Sequence, residues 1–203
     1  MKEKIAAIIL AAGASIRLGH PKQLLQIAGE NLLLRVIAAA RDASCAPIIV
    51  VVGASADNVV AVLPSDAVDI VRNSDWPHGI GTSIRAGISH AIAHHPSLDA
   101  AILMTCDQPL IDSRILRALI DKFSMTQTDM VASRYAETLG VPALFARARF
   151  HDLLGLRDNE GAKSLLLSSR REVLAVPFPG GAVDIDTPND VVTFASGSKP
   201  AAN

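Results

Sequence analysis

The sequence predicts an α/β protein with a parallel, doubly wound sheet, and three observations lead there. Short apolar runs alternate with segments of helical spacing through the first two thirds of the chain. Ile48 to Val52 is a continuous β-branched run closed by Gly53, the pattern of a strand covered on both faces. The residues best suited to chemistry recur just after the strand-like runs: a loop at Gly13, then Gly53, Asn73 and Asp107. In open parallel sheets that end of the strands is where ligands bind.

The elements follow in order. Ile5 to Ala12 reads as a buried first strand. Met1-Lys2-Glu3-Lys4 ahead of it imitates a secretion signal, but Glu3, the short apolar run and the cations Arg17 and Lys22 directly after it favour a strand. Leu32 to Ala43 has helical spacing at Leu33, Val36, Ile37 and Ala40. Ala56 to Leu63 reads as a short helix closed by Pro64, and Val68 to Val71 as a third strand. Ile84, Ile88, Ala91 and Ile92 mark an amphipathic helix, and Ala100 to Met104 a fourth strand. Asp112 is placed to cap a helix whose apolar face is Ile115, Leu116, Leu119, Ile120 and Phe123. Asp129 to Ser133, Pro142 to Phe145, Val173 to Val176 and Val183 to Ile185 read as further strands. Ala148 to Leu156, Ala162 to Ser169 and Pro188 to Ala195 read as helices. With no repeat or linker, residues 1–195 are expected to form one domain, and the small, polar stretch 196–203 a disordered tail.

Composition narrows the class. Half of the 203 residues are hydrophobic but only 3% are aromatic, so Ala, Val, Ile and Leu must fill the core. The 19 basic and 20 acidic residues nearly cancel, which offers no nucleic-acid or membrane surface. No run approaches the roughly 18 apolar residues of a membrane helix. Two cysteines, Cys45 and Cys106, are too few for a disulfide framework and suit a cytoplasmic protein.

The stretch LAAGASIRLGHPKQLL, Leu10 to Leu25, carries the strongest chemical signal. Small residues let backbone approach a ligand and leave loop N–H groups free to donate. Arg17 adds a planar fork of donors and Lys22 a point charge, a combination suited to a polyphosphate. Neither GxxxxGK[ST] nor GxGxxG is present. Asp107, leaving a strand ahead of Gln108-Pro109, is placed either to bind Mg²⁺ through one or two oxygens or to serve as a turn aspartate. In Asp184-Ile185-Asp186-Thr187-Pro188, the two aspartates would share one face of an extended strand. Asp184 is then the second metal ligand, and Asp186 the cap of the helix opening near Pro188. Asn73 could hydrogen-bond a base or ribose. Gly79 and Gly81 permit close approach, and Thr82 and Ser83 begin a helix whose N-terminus can face an anion. Trp76 reads as a hydrophobic plug under that loop, and Arg85 as a surface or phosphate-side cation. His94 and His95 are adjacent and point different ways, which argues against a metal pair.

The Leu10 to Leu25 stretch resembles the LAAGxSxRxGxxKxLL signature of the nucleotidyltransferases related to the molybdenum cofactor enzymes, and meets every fixed position of it. Asp107-Gln108-Pro109, DIDTP at 184–188, NSDWPHGIGTSIRAG at 73–87 and GVPALF at 140–145 resemble segments of the same family. Val141 stands where many members have His, and RDNEGAK at 157–163 only partly follows a GDxGAR/K segment, leaving Gly161 and Lys163 as acceptor-side loop or solvated helix start. The resemblance implies a three-layer Rossmann-like fold and Mg²⁺-dependent transfer of a nucleotidyl group with release of pyrophosphate. Arg17, Lys22 and Asp107 would be catalytic. Leu10, Ala11, Ala12, Gly13, Ser15, Gly53, Asn73, Gly79 and Ser83 would bind nucleotide with them, and Asp107 and Asp184 would hold the metal. Ala11-Ala12-Gly13 resembles the cytidylyl branch, because a methyl at Ala12 crowds a purine by about 1–3 kcal/mol. That branch implies CTP, a molybdopterin-type phosphate acceptor, and a molybdenum hydroxylase or its chaperone as the partner served. The alternatives are guanylyl transfer, a sugar- or polyol-phosphate acceptor, or a nucleotide-binding module without turnover.

Overall fold

The structure, a computed structural model, describes residues 3–27, 29–64 and 66–196. Its strands and helices are β1 (Ile5–Ala11), β2 (Gln26–Ile27), β3 (Glu30–Asn31), α1 (Leu32–Asp42), β4 (Ile48–Val52), α2 (Ala56–Val60), β5 (Asp69–Arg72) and α3 (Ile80–His94). There follow β6 (Ala100–Thr105), α4 (Ser113–Thr126), β7 (Met130–Tyr135), β8 (Thr138–Ala146), α5 (Phe150–Leu154), α6 (Ala162–Ser168), β9 (Val173–Pro177) and α7 (Pro188–Ala195). One sheet of seven strands runs in the order β5-β4-β1-β6-β8-β7-β9, with β2 and β3 forming a separate small ribbon.

The sheet is mostly parallel. β8 alone is reversed, antiparallel to both β6 and β7. The apolar runs of β1 and β4 are buried throughout because helices cover both faces. Alternate residues serve opposite sides. Ala7, Ile9, Val50, Ile102 and Met104 meet Leu33, Val36, Leu116, Leu119 and Phe123 of α1 and α4. Ala6, Ile8, Ile49, Val51 and Leu103 meet Ile84, Ile88, Phe150, Leu153 and Leu166 of α3, α5 and α6. The small side chains of this low-aromatic core allow close layers: a Cβ on Gly87 of α3 would lie 2.7 Å from Ile8 Cγ2 and 3.1 Å from Val51 Cγ2.

Asp112 caps α4 as its position predicts, accepting from Arg114 N at 2.9 Å and Ile115 N at 3.1 Å. Two expectations change. The strand predicted at Val183 to Ile185 does not form. Ile185 is fully buried against Ile27 and Leu32, and its N–H donates to Asp107 O at 2.8 Å instead of to a ladder. The cap of α7 is Thr187, not Asp186: Thr187 and Asp190 form a reciprocal capping box. Of the tail expected at 196–203, all but Ser196 lies outside the described residues. Among the described residues no helix is long and apolar enough to cross a membrane.

Candidate active site

The parallel strands β1, β4, β5 and β6 end on one side of the sheet, and the loop after β1 turns over that edge. Ser15 holds the loop's shape from a left-handed backbone conformation (φ 53°). Its carbonyl accepts from Leu18 and Gly19, and its Oγ accepts from Lys22 N at 3.0 Å. The amides of Ala14, Ser15, Ile16 and Arg17 donate to no backbone acceptor among the described residues, so they are available to an anion. Gln23, buried beneath, donates through Nε2 to Ala11 O and Gly13 O, both at 2.8 Å, and locks the loop to β1.

Lys22 Nζ lies 2.9 Å from Asp107 Oδ2 and 2.7 Å from Asp186 Oδ1. Burial disfavours its charge, but Asp107 and Asp186 outweigh that and raise its pKa above the ordinary lysine value. Arg17, 72% exposed, reaches the other oxygen of Asp186 at 2.8 Å. Asp186 loses solvation too, yet its contacts with Lys22 and Arg17 hold its carboxyl below the usual carboxylate range. Its expected role as a helix cap is thus replaced by an ion pair. The backbone N–H groups of residues 186 and 187 both donate to Asp190, which leaves the Asp186 side chain turned toward the loop.

The Ile185–Asp107 backbone bond draws Asp184 to the end of β6. Partial desolvation of its carboxylate, followed by the charges of Asp107 and Asp186, pushes Asp184 up to about 6, although the residue keeps an open side to solvent. Asp184 accepts no hydrogen bond from a described residue. Neutral residues position this corner. Gln108 Nε2 donates to Gly181 O at 2.9 Å and contacts Tyr135 Oη at 3.3 Å, while Tyr135 donates to Val141 O. Tyr135 fits because Gly140 and Gly181 flank it: a Cβ on either would come within 2.1 and 2.4 Å of its ring or hydroxyl.

A cleft of about 180 Å³ is lined by Leu10, Ala12, Gly13, Lys22, Gln23, Trp76, Gly79, Ile80, Ser83, Thr105, Cys106 and Asp107. It continues into a second lobe formed by Gly13, Ala14, Ser15, Ile16, Arg17, Lys22, Trp76 and Asp186. Lys22 and Trp76 stand where the lobes meet. Most residues singled out in the sequence therefore converge, and the exceptions have structural reasons. Ala11 is buried in β1 and offers only its backbone. Gly53 lies behind Trp76, not in the cleft; a Cβ there would sit 2.7 Å from Trp76 Cβ. Asn73 is buried, and its amide donates to Thr82 Oγ1 and Ser83 Oγ at 2.9 and 3.0 Å, so it pins α3 to β5 and leaves nothing for a base. Gly79 borders the cleft, but it and Gly81 are required by the 157–159 backbone: a Cβ would fall 2.3 Å from Asp158 O and 2.0 Å from Arg157 O. Arg85 binds Leu156 O and Asp158, which makes it a clamp on the same segment. Gly161 is the N-cap of α6 and Lys163 is exposed on it.

Trp76 is half-buried and forms cleft wall as well as plug. Gln23 and Tyr135 join the site without a signal in the sequence, because neutral residues at unspecified positions of a motif give none, whereas Gln108 is marked by the Asp107-Gln108-Pro109 segment. The Cys106 thiol, buried beside Asp107, is pushed up to about 12 by burial first and that negative charge second, so it is inert.

A parallel α/β edge bearing a cation-rich loop, free amides and facing carboxylates is the working end of a nucleotidyltransferase, and the chain is an enzyme of that class. It belongs to the MobA-like NTP transferase domain family, whose model matches residues 7–173. Rv0371c from Mycobacterium tuberculosis H37Rv superposes with a TM-score of 0.83 at 30% identity, covering 97% of this chain and all of that one. The structure of its complex with manganese superposes at 0.78, with 29% identity over 95% of this chain and 98% of that one. The bifunctional protein GlmU of Stutzerimonas stutzeri is 27% identical over 177 residues, 84% of this chain but 37% of GlmU. Nicotine blue oxidoreductase of Paenarthrobacter nicotinovorans is 35% identical over 106 residues, 52% of this chain and 50% of that protein. The chain thus spans half or less of the length of these two curated relatives.

Proposed function

We propose that this protein transfers the cytidylyl group of CTP, with Mg²⁺, to the terminal phosphate of a molybdopterin-type acceptor. The observation that carries the reading is Ala12, which lines the same cleft as Lys22 and Asp107; a methyl there would crowd a purine more than a pyrimidine. An acceptor phosphate oxygen attacks the α-phosphorus in line. The bond to the oxygen bridging the α- and β-phosphorus breaks, a new P–O–P linkage forms, and pyrophosphate leaves with its electron pair. No protein nucleophile is needed.

The loop amides and Arg17 hold the triphosphate, and Lys22 exchanges part of its contact with Asp186 for a phosphate oxygen. The donor set fits Mg²⁺: Asp107 and the unpartnered Asp184 are the one or two carboxylates that this ion takes alongside substrate phosphates. When bound there, the ion supplies neutralisation of phosphate charge. Because Asp184 and Asp186 follow the matched 7–173 region, the working domain is taken to run to residue 195. The product serves a molybdenum hydroxylase or its chaperone, in the cytoplasm.

Thermal shifts with CTP, GTP, UTP and ATP, each with and without Mg²⁺, test this. A ligand confined to the folded state adds about 2.7 kcal/mol at a hundredfold excess over its Kd. A shift confined to Mg²⁺-CTP is expected. A preference for Mg²⁺-GTP would move the reading to guanylyl transfer, and one for Mg²⁺-UTP to a sugar-phosphate acceptor. No shift with any nucleotide would mean that the acceptor binds first or that the site does not serve nucleotide. A nucleotide-binding module without turnover is told apart by Asp107→Ala, which costs an enzyme its turnover.

A further inference from the structure

The pair β5–α3 has two ends. One lies at the cleft, where Asn73 holds Thr82 and Ser83. At the other, three side chains converge: Asp69 opens β5, His90 lies near the end of α3, and His95 follows its last residue. Asp69 Oδ2 is 3.0 Å from His90 Nε2 and 2.6 Å from His95 Nε2. One ligand atom from each residue lies within 4.8 Å of the other two, the only such group of three or more His, Cys, Asp or Glu among the described residues. Along α3 the rise from Ser83, which lines the cleft, is roughly 10 Å to His90 and roughly 18 Å to His95.

We propose that Asp69, His90 and His95 form a binding site for a divalent transition-metal cation of the Zn²⁺ class. Two imidazoles and one carboxylate suit zinc, nickel or copper better than Mg²⁺, which prefers oxygen alone. Ligand atoms each about 2.0–2.1 Å from a tetrahedral zinc stand about 3.3 Å apart, so the observed 2.6 and 3.0 Å need only a slight opening. The side chains are 35% (Asp69), 21% (His90) and 31% (His95) exposed, which gives an entry path and leaves a fourth position for water.

The cluster is held in place from several sides. His94, four residues after His90, stacks on it with ring centroids 4.1 Å apart and planes 21° apart, and its Nδ1 contacts His90 O at 3.1 Å. This fixes the His90 ring much as an outer-shell group does around a metal ligand. The chain leaves the helix at His95, whose N–H donates to Ala91 O, and that exit turns its ring back to Asp69. His94 and His95 do point apart, as adjacency requires, but the ligating partner of His95 is His90. Partial burial opposes ionisation of Asp69, yet the facing imidazoles outweigh it and hold its carboxyl below the usual range. The bound cation would fasten the far end of β5–α3, whose near end carries Asn73 and Gly79. None of this depends on the nucleotide reading.

Co²⁺ added to metal-free, full-length protein tests the site by its visible absorption. A four- or five-coordinate band is expected, displaced by Zn²⁺, retained in Asp107→Asn and lost in the double variant His90→Gln/His95→Gln. Glutamine amides can still donate to Asp69, so the double variant should fold, and its melting temperature in EDTA should match the parent's. Zn²⁺ should raise the melting temperature of the parent and not of the double variant. No band in the parent, a band that survives in the double variant, or a band that disappears in Asp107→Asn would each overturn the proposal.

Discussion

Lys22 and Asp107 form a half-buried ion pair at 2.9 Å, and the same ammonium reaches Asp186 at 2.7 Å, so one cation ties the loop after β1 to the end of β6 and to the approach of α7. Two carboxylates from distant parts of the chain are held together through it. Lys22→Met should therefore lower stability by about 1–3 kcal/mol, below the roughly 3–5 of a fully buried pair because solvent screens part of it. Asp107→Asn in the same chain should recover part of that loss, since Asp107 is then left without a cation while Asp186 keeps Arg17. Chemical denaturation of the two variants and the parent measures both effects. Asp186 has a depressed carboxyl pKa, so its contribution is present above the ordinary carboxylate range and is lost as pH falls through its folded value.

Asp184 behaves in the opposite sense. Its folded pKa of about 6 exceeds the ordinary value of 3.8, so between these the folded chain binds more protons than the unfolded one. Stability from this residue is present below about pH 4 and lost as pH rises through about 6. Two pKa units correspond to roughly 3 kcal/mol, which solvent access reduces to about 1. Asp184→Asn should accordingly stabilise the protein by about 1 kcal/mol at about pH 8 and leave it unchanged at about pH 4. The same variant should lower kcat/KM by about 10²-fold or more, the scale of a lost charge-stabilising group. In the parent, kcat/KM should fall below about pH 6, where a proton competes for Asp184. A variant that is both less stable at that alkaline pH and fully active would remove Asp184 from the metal site.

Close backbone approach sets a third expectation. Gly81→Ala would place a Cβ 2.0 Å from Arg157 O, and the first turn of α3 would have to move. The cost should be about 1–3 kcal/mol, with weaker nucleotide-induced thermal shifts because Ser83 and Gly79 line the cleft. Gly161→Ala is the control. Its nearest atom would be Ile80 Cγ2 at 3.6 Å and its φ is negative. It should cost no more than about 1 kcal/mol, the difference between glycine and alanine as N-cap of α6, and leave nucleotide-induced thermal shifts unchanged.

Strand burial and strand-end chemistry are legible in the sequence because both are local. The five β-branched residues 48–52 could hardly be anything but a covered strand, and Asp112 announces its own helix. The reversal of β8 is not legible, since period-two burial is the same in either direction. Alternation puts Asp184 and Asp186 on one strand face, but burial of Ile185 and its bond to Asp107 O override that local rule. The glycines at 79 and 81 do mark a close approach, and the sequence does not say whether a ligand or the 157–159 segment makes it. His90 is invisible as a partner because the third member of its group, Asp69, lies on another element.

Trp76 offers the most direct reading of the cleft. It is the sole tryptophan, it borders both lobes, and Gly53 lies immediately behind it. Intrinsic emission therefore reports this one place. A nucleotide whose base and phosphates occupy the two lobes must pass the indole, so Mg²⁺-CTP should change the emission saturably, with a midpoint that matches thermal shift. Trp76→Phe should abolish the signal and weaken binding by no more than about tenfold, because the aromatic face is kept and the smaller ring gives up only about 1 kcal/mol of packing. Gly53→Ala should do more harm than its size suggests, because a Cβ 2.7 Å from Trp76 Cβ has to push the indole into the cleft. The decisive outcome is a mismatch. If thermal shift reports saturable nucleotide binding while the emission of Trp76 stays constant, the nucleotide lies somewhere other than between Lys22 and Trp76, and the roles given to the loop cations fall with it.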